Sequence, residues 1–223
     1  MAVDFDQKLA QIIDYAILKA DTASNDVARA CQEAVKYHFA TVCVNPSYVS
    51  LAAKLLDGSG VKVCAVVGFP LGASISTVKA IEARNALLNG ADEIDMVLNI
   101  GALKSGESEL VDEEVYMVRN VTDGHVLKVI LETCLLTTEE KIKACEIAIN
   151  RGVNFIKTST GFSHGGATID DIKLIRKVVG IEMGVKASGG IETAEQAYIL
   201  LEAGATRIGT SRAVEIISGD KKR

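Results

Sequence analysis

The chain has 223 residues, of which 48 % are apolar, 24 % charged and 4 % aromatic, with a formal net charge of -5. A chain of this size buries roughly 70 % of its unfolded surface, and the composition excludes a mainly disordered, collagen-like or disulfide-stapled protein. The acidic balance, with no Lys/Arg cluster interleaved with aromatics, argues against nucleic acid as a partner.

In chain order, the segment from Met1 to Gln11 is polar and acidic. It lacks the basic-then-apolar order of a signal peptide. Eight short runs then read as strands: Ile12–Leu18, Thr41–Asn45, Val61–Gly68, Glu93–Asn99, Leu127–Thr133, Asn154–Thr160, Gly184–Ser188 and Arg207–Ser211. Their starts lie roughly 20–35 residues apart, room each time for a strand, a loop and a crossover helix. Between the third and fourth, Ala80, Ala83, Ala86 and Leu87 form an apolar helical stripe. After the fifth, Thr137 and Glu140 have the spacing of a capping box. Alternating strands and helices predict a parallel sheet, and eight units predict a closed (β/α)8 TIM barrel. The rival open doubly wound sheet lacks a G-x-G-x-x-G after its first strand. No linker or composition break divides residues 1–223, which read as one domain with its site at the C-terminal ends of the strands. The tail Lys221-Lys222-Arg223 reads as a solvated end.

Period-two alternation sorts the strand residues into those facing the helices and those facing the barrel interior. It sends Asp14 inward from the first strand, Cys43 and Asn45 from the second, and Glu93, Asp95, Val97 and Asn99 from the fourth. The sixth strand contributes Lys157 and Ser159, and the seventh contributes Lys186. Buried charges need partners or a function. Neighbouring strands lie ~4.8 Å apart, and two ammonium groups ~4 Å apart repel by about 4 kcal/mol at an effective dielectric of ~20. For one amine of such a pair that amounts to roughly three pKa units. A cationic neighbour and desolvation thus make a lysine nucleophilic, suited to attack on a carbonyl and a Schiff base. The competing reading is a static network in which each lysine pairs with an aspartate. Asp95 is the candidate for shuttling protons. Asp14 either orients Lys186 or a water, or forms a structural salt bridge to Lys186. Cys43 either touches substrate or is a small buried thiol.

Glycine-containing strand ends supply a second signal. Ser188-Gly189-Gly190-Ile191 precedes a helix opening at Thr193, and Gly209-Thr210-Ser211-Arg212 follows the last strand. Such turns let backbone N–H groups approach an anion, and the loops after strands seven and eight are the common phosphate site of these barrels. Thr160-Gly161-Phe162 could add a third wall. His38, His125 and His164 are scattered, and no metal-ligand spacing, G-x-S-x-G or Walker loop is present, so neither a metal site nor a hydrolase triad is expected. His164 reads as a surface or rim residue. The five cysteines Cys31, Cys43, Cys64, Cys134 and Cys145 are odd in number and widely spaced. They suit free thiols in the cytoplasm. No apolar run reaches the ~18 residues of a membrane span. The residues alone thus point to carbonyl chemistry on a phosphorylated substrate.

Five motifs, Val42–Pro46, Glu93–Gly101, Phe155–Phe162, Gly184–Ile191 and Arg207–Ser211, occur in an order that resembles the deoxyribose-phosphate aldolase family from about residue 12 to residue 212. The resemblance implies a cofactor-free class I aldolase in a (β/α)8 barrel. Its reaction would be the reversible cleavage of 2-deoxy-D-ribose 5-phosphate to D-glyceraldehyde 3-phosphate and acetaldehyde. It implies that Lys157 forms the Schiff base, that Lys186 tunes that amine, and that Asp95 acts with a water in proton transfer. Gly161, Gly189, Gly190, Gly209 and Ser211 would hold the phosphate, and members often form homodimers. There are departures. Tyr15-Ala16-Ile17-Leu18-Lys19-Ala20 stands where the family usually has His-Thr and then Leu-Leu-Lys-Pro. Phe162 and Arg212 stand where some members have a lysine and a second serine, so Arg212 would supply the phosphate charge as a bidentate donor. The tail lacks the tyrosine of some relatives. The alternatives are another phosphosugar barrel enzyme, an isomerase or a related Schiff-base aldolase, and a non-catalytic phosphosugar-binding barrel.

Overall fold

The computed structural model describes residues 6–219; the basic tail and the first five residues of the N-terminal segment lie outside the described residues. Eight parallel strands close a barrel in chain order, with the last pairing to the first. They are β1 (Ile13–Ile17), β2 (Thr41–Val44), β3 (Lys62–Val67), β4 (Glu93–Val97), β5 (Val126–Ile130), β6 (Phe155–Lys157), β7 (Gly184–Ser188) and β8 (Arg207–Thr210). The helices are α1 (Gln7–Ala10), α2 (Ser24–Tyr37), α3 (Val49–Leu56), α4 (Ser76–Leu88), α5 (Ile100–Lys104), α6 (Ser108–Val121), α7 (Thr138–Asn150), α8 (Ile169–Val179), α9 (Ala194–Glu202) and α10 (Ala213–Ser218). The (β/α)8 architecture is the one predicted. Among the described residues no helix is long and apolar enough to cross a membrane.

Only β7 keeps the bounds read from the sequence; the other seven strands stop short at their C-terminal ends. The freed residues turn into the loops of the barrel mouth. Asn45 donates from Nδ2 to the Leu18 carbonyl (3.2 Å). Asn99, expected to face inward, instead caps α5 by accepting from the Ala102 N–H (3.1 Å). Helix α7 begins with the predicted capping box: the Thr137 hydroxyl accepts from the Glu140 N–H (3.2 Å), and the Glu140 carboxylate accepts from the Thr137 N–H (2.8 Å). In α4 the predicted face is inward, with Ala80, Ala83 and Ala86 buried.

The main apolar core lies between the strands and the helix ring, and includes Ile13, Val42, Ile94, Met96, Leu127, Ile156 and Val185. A smaller cluster of Leu18, Cys43, Cys64 and Val66, with Ala16 and Phe69 against it, sits apart. It belongs to β1–β3 and the loops at their ends. The charged side chains come from β1 and from β4–β8, so the interior is polarised across its width. The five cysteines are free thiols.

Candidate active site

Register brings the inward charges together. Lys157 pairs with Lys186 across β6–β7, and Asp95 pairs with Lys128 across β4–β5. At the centre, Asp95 is fully buried. Its Oδ2 accepts from both Lys157 Nζ and Lys186 Nζ, each at 2.8 Å. Its Oδ1 accepts from Lys128 Nζ (2.8 Å) and from the Cys64 thiol (3.1 Å). Burial alone would raise the Asp95 pKa, but Lys128, Lys157 and Lys186 outweigh it and hold the carboxyl well below the usual range. Asp14 is likewise buried and contacts Lys186, and it accepts from Arg207 Nη1 (2.8 Å). Burial works against its ionisation too, and Lys186, Lys128 and Arg207 again win, lowering its pKa. Burial pushes Lys186 down, whereas Asp14 and Asp95 push it up further, so Lys186 is held as a cation.

That geometry modifies the repulsion expected between the two lysines. One carboxylate oxygen lies between the two ammonium groups and offsets their mutual field. The two amines also differ in company: Lys186 has two carboxylate partners and Lys157 one. The interior sets four cations, Lys128, Lys157, Lys186 and Arg207, against three carboxylates, Asp14, Glu93 and Asp95.

Lys157 and Lys186 form the floor of a cleft of about 700 Å³ at the C-terminal ends of the strands. Thr160, Gly161, Gly189, Gly190, Gly209, Ser211 and Arg212 all line it, as does Phe162. Gly189 has φ +88°, and a side chain there would come within 3.0 Å of the Gly166 Cα, so only glycine permits this approach of two loops. Gly209 has a different reason: a Cβ there would lie 2.8 Å from Lys186 Cε. It makes room for the lysine. Asp95 and Asp14 lie beneath the cleft and do not line it. Cys43, offered as a substrate contact, is also beneath it, fully buried opposite Cys64 in the β2–β3 register. This corrects that expectation: the strand alternation turns its thiol inward, but at a level below the mouth. His164 is exposed. Tyr15 faces outward as predicted and donates from its hydroxyl to Glu33 (2.9 Å), leaving Asp14 in place.

Sequence reasoning missed several members of the site. Lys128 is fully buried and lies 2.5 Å from Glu93 Oε2. Alternation in Leu127-Lys128-Val129 would have turned it inward by the rule that found Lys157. Arg207 opens the predicted eighth strand, and its guanidinium also rests 5.4 Å from the Phe155 ring centroid. Glu132, just beyond β5, is a buried carboxylate on a left-handed backbone (φ 56°). It accepts from the N–H of Thr160 (3.2 Å) and from the Thr160 hydroxyl, fixing the start of the Thr160–Phe162 wall.

A model of the DeoC/LacD family of aldolases matches residues 2–216. The chain belongs to this family. It is therefore an aldolase, a lyase acting on carbon–carbon bonds. The deoxyribose-phosphate aldolases of Bacillus cereus strain AH820 and Geobacillus sp. strain WCH70 are 53 % and 52 % identical to it over 215 residues, covering 96 % of each chain. Among solved structures, the tetrameric deoxyribose phosphate aldolase of Aeropyrum pernix superposes with a TM-score of 0.88 at 35 % identity, covering 94 % of this chain and 89 % of that one. An aldolase designated QR15 gives 0.90 at 42 % identity, covering 93 % of both.

Proposed function

We propose that this chain is a class I aldolase that reversibly cleaves 2-deoxy-D-ribose 5-phosphate to D-glyceraldehyde 3-phosphate and acetaldehyde, with Lys157 as the Schiff-base lysine. The observation that carries the assignment is the Lys157 amine on the cleft floor, sharing one Asp95 oxygen with Lys186, beneath glycine turns suited to a phosphate. Lys157, uncharged, attacks the C1 aldehyde of the open-chain sugar, and loss of water from the carbinolamine leaves an imine. A base then takes the proton of the C3 hydroxyl. The C2–C3 bond breaks, glyceraldehyde 3-phosphate leaves, and the electron pair is held as an enamine on C2. Protonation of C2 and hydrolysis release acetaldehyde and restore the amine. The imine nitrogen is the electron sink, so the chemistry requires no cofactor.

Asp95 serves proton transfer by exchanging protons among the groups it bridges and a water. Lys186 supplies the fixed positive charge beside the reacting nitrogen, and Asp14 orients Lys186. The turns with Gly161, Gly189, Gly190 and Ser211, together with Gly209 near the end of β8, hold the phosphate, with Thr160 in the wall and Arg212 as the cation. The chain works in the cytoplasm as one barrel domain. The tetrameric Aeropyrum pernix relative favours self-association here too, with a homodimer as the smallest assembly.

Incubation with deoxyribose 5-phosphate and borohydride, followed by peptide mass spectrometry, is expected to place a reduced two-carbon or five-carbon adduct on Lys157. An active sample with Lys157 unmodified would overturn the assignment. Release of acetaldehyde, followed with an alcohol dehydrogenase, separates this activity from an isomerase or another Schiff-base aldolase on the same fold.

A further inference from the structure

One charged pair at the cleft mouth joins Arg212, the proposed phosphate cation, to a carboxylate that has no part in the chemistry above. Glu192 directly follows the Ser188-Gly189-Gly190-Ile191 turn, and Arg212 directly follows Gly209-Thr210-Ser211. Their side chains meet between these turns, with Arg212 Nη1 3.1 Å from Glu192 Oε2. Both line the cleft. The backbone beneath each is tied down. The Glu192 N–H donates to Gln196 Oε1 (2.8 Å), and the Arg212 N–H donates to the Thr210 hydroxyl (3.0 Å). The side chains themselves are 53 % and 44 % exposed. An ion pair in that setting is weak and exchanges readily.

A carboxylate at the edge of a phosphate subsite opposes a phosphate dianion by like-charge repulsion, and it already occupies the cation meant for that dianion. Resting on the phosphate-subsite reading, we propose that Glu192 is a specificity-tuning residue. Its carboxylate occupies Arg212 in the empty enzyme, and the substrate phosphate displaces it. A doubly charged phosphate offers Arg212 a bidentate partner of higher charge than Glu192 and can win that exchange. An uncharged 5-hydroxyl cannot. The exchange also works in reverse: Glu192 recaptures Arg212 as the phosphorylated product leaves, which keeps the phosphate from binding too tightly to turn over.

The test is Glu192→Gln, alone and in an Arg212→Ala background, assayed with phosphorylated and unphosphorylated 2-deoxyribose and with inorganic phosphate as a competitor. For Glu192→Gln alone, the KM for the phosphorylated sugar and the inhibition constant of phosphate should both fall about three- to tenfold, while the KM for the unphosphorylated sugar stays within about twofold. In the Arg212→Ala background the same substitution should change neither by more than about twofold, because the competition it relieves has gone. A fall of equal size in that background would assign the effect to direct repulsion and overturn the exchange. No fall in the single variant, with phosphate still competing against substrate, would overturn the proposal alone. If phosphate fails to compete in the unmodified enzyme and Arg212→Ala affects both sugars alike, the phosphate reading fails and takes this proposal with it.

Discussion

Lys186 sits between two buried carboxylates, so its removal acts on stability and on chemistry together. Lys186→Leu leaves Asp14 and Asp95 each short of a buried partner, and breaking such a pair costs about 3–5 kcal/mol. Urea unfolding should record that loss. Turnover should fall and the alkaline limb of the pH–rate profile should move, because the fixed cation beside the reacting nitrogen is gone; an unmoved limb would remove the tuning role. Gly209→Ala probes the same amine from the other side. Its Cβ would press on Lys186 Cε. If clearance is the main task of Gly209, kcat falls tenfold or more, a loss of about 1.4 kcal/mol or more, with little change in KM. If phosphate binding is, KM rises instead. Lys157, Lys186, Asp95 and Asp14 were all legible in the sequence, because inward charge on a barrel strand is anomalous enough to notice one residue at a time. Lys128 was equally legible by that rule. Glu132 was not: its work depends on a left-handed backbone and on a through-space contact with Thr160, and neither has a sequence signature.

Elements show the same division between local and distant causes. The box at the start of α7 was readable because both partners lie within one turn, and Thr137→Ala should cost about 1 kcal/mol, read as a lowered melting temperature. The α4 stripe was readable in part. Beside Ala80, Ala83 and Ala86 it also buries Lys79, which no periodicity argument would place inside. The explanation lies on α6, where fully buried Glu114 meets Lys79 Nζ at 2.6 Å. Lys79 Nζ also donates to the Val97 carbonyl (2.9 Å), and Glu114 Oε1 accepts from the Asn99 N–H (2.9 Å). The pair thereby clamps the turn that ends β4, two residues beyond Asp95. Burial pushes Lys79 down and Glu114 up, each toward its neutral form, so desolvation exceeds their attraction. Glu114→Ala should therefore destabilise by about 3–5 kcal/mol, since a buried cation loses its partner. The double change Lys79→Met with Glu114→Leu should cost clearly less than the single one. A double variant at least as unstable as Glu114→Ala would mean that the backbone clamp, rather than the uncompensated charge, dominates.

At the scale of the whole molecule, eight repeated units were enough to predict a closed barrel, but not which inward side chains face one another. That depends on register, since Cys43 faces Cys64 on one side while Asp95 faces Lys128 on the other. The charged half makes stability depend on pH at both extremes. Asp14 and Asp95 are held below the ordinary value of 3.8 by their lysine and arginine neighbours against the opposing effect of burial. The folded state thus binds fewer protons there than the unfolded state. Their contribution is present above 3.8 and is lost as pH falls below it. Lys128 and Lys186 are held above the ordinary value of 10.5 by the carboxylates, again against burial. Their contribution is complete below 10.5 and is lost as pH rises beyond it. Melting temperature measured from acid to alkaline pH should therefore form a plateau between about pH 4 and pH 10, with a fall on each flank. Asp14→Asn should lower the plateau and make the acid flank shallower, because one depressed carboxyl no longer titrates. It should also lower the alkaline flank, since Lys186 loses one of the two partners that keep it charged. A curve that stays level above pH 10.5 would mean that the interior lysines do not depend on their charge for folding, and the network would then be a consequence of the barrel rather than one of its supports.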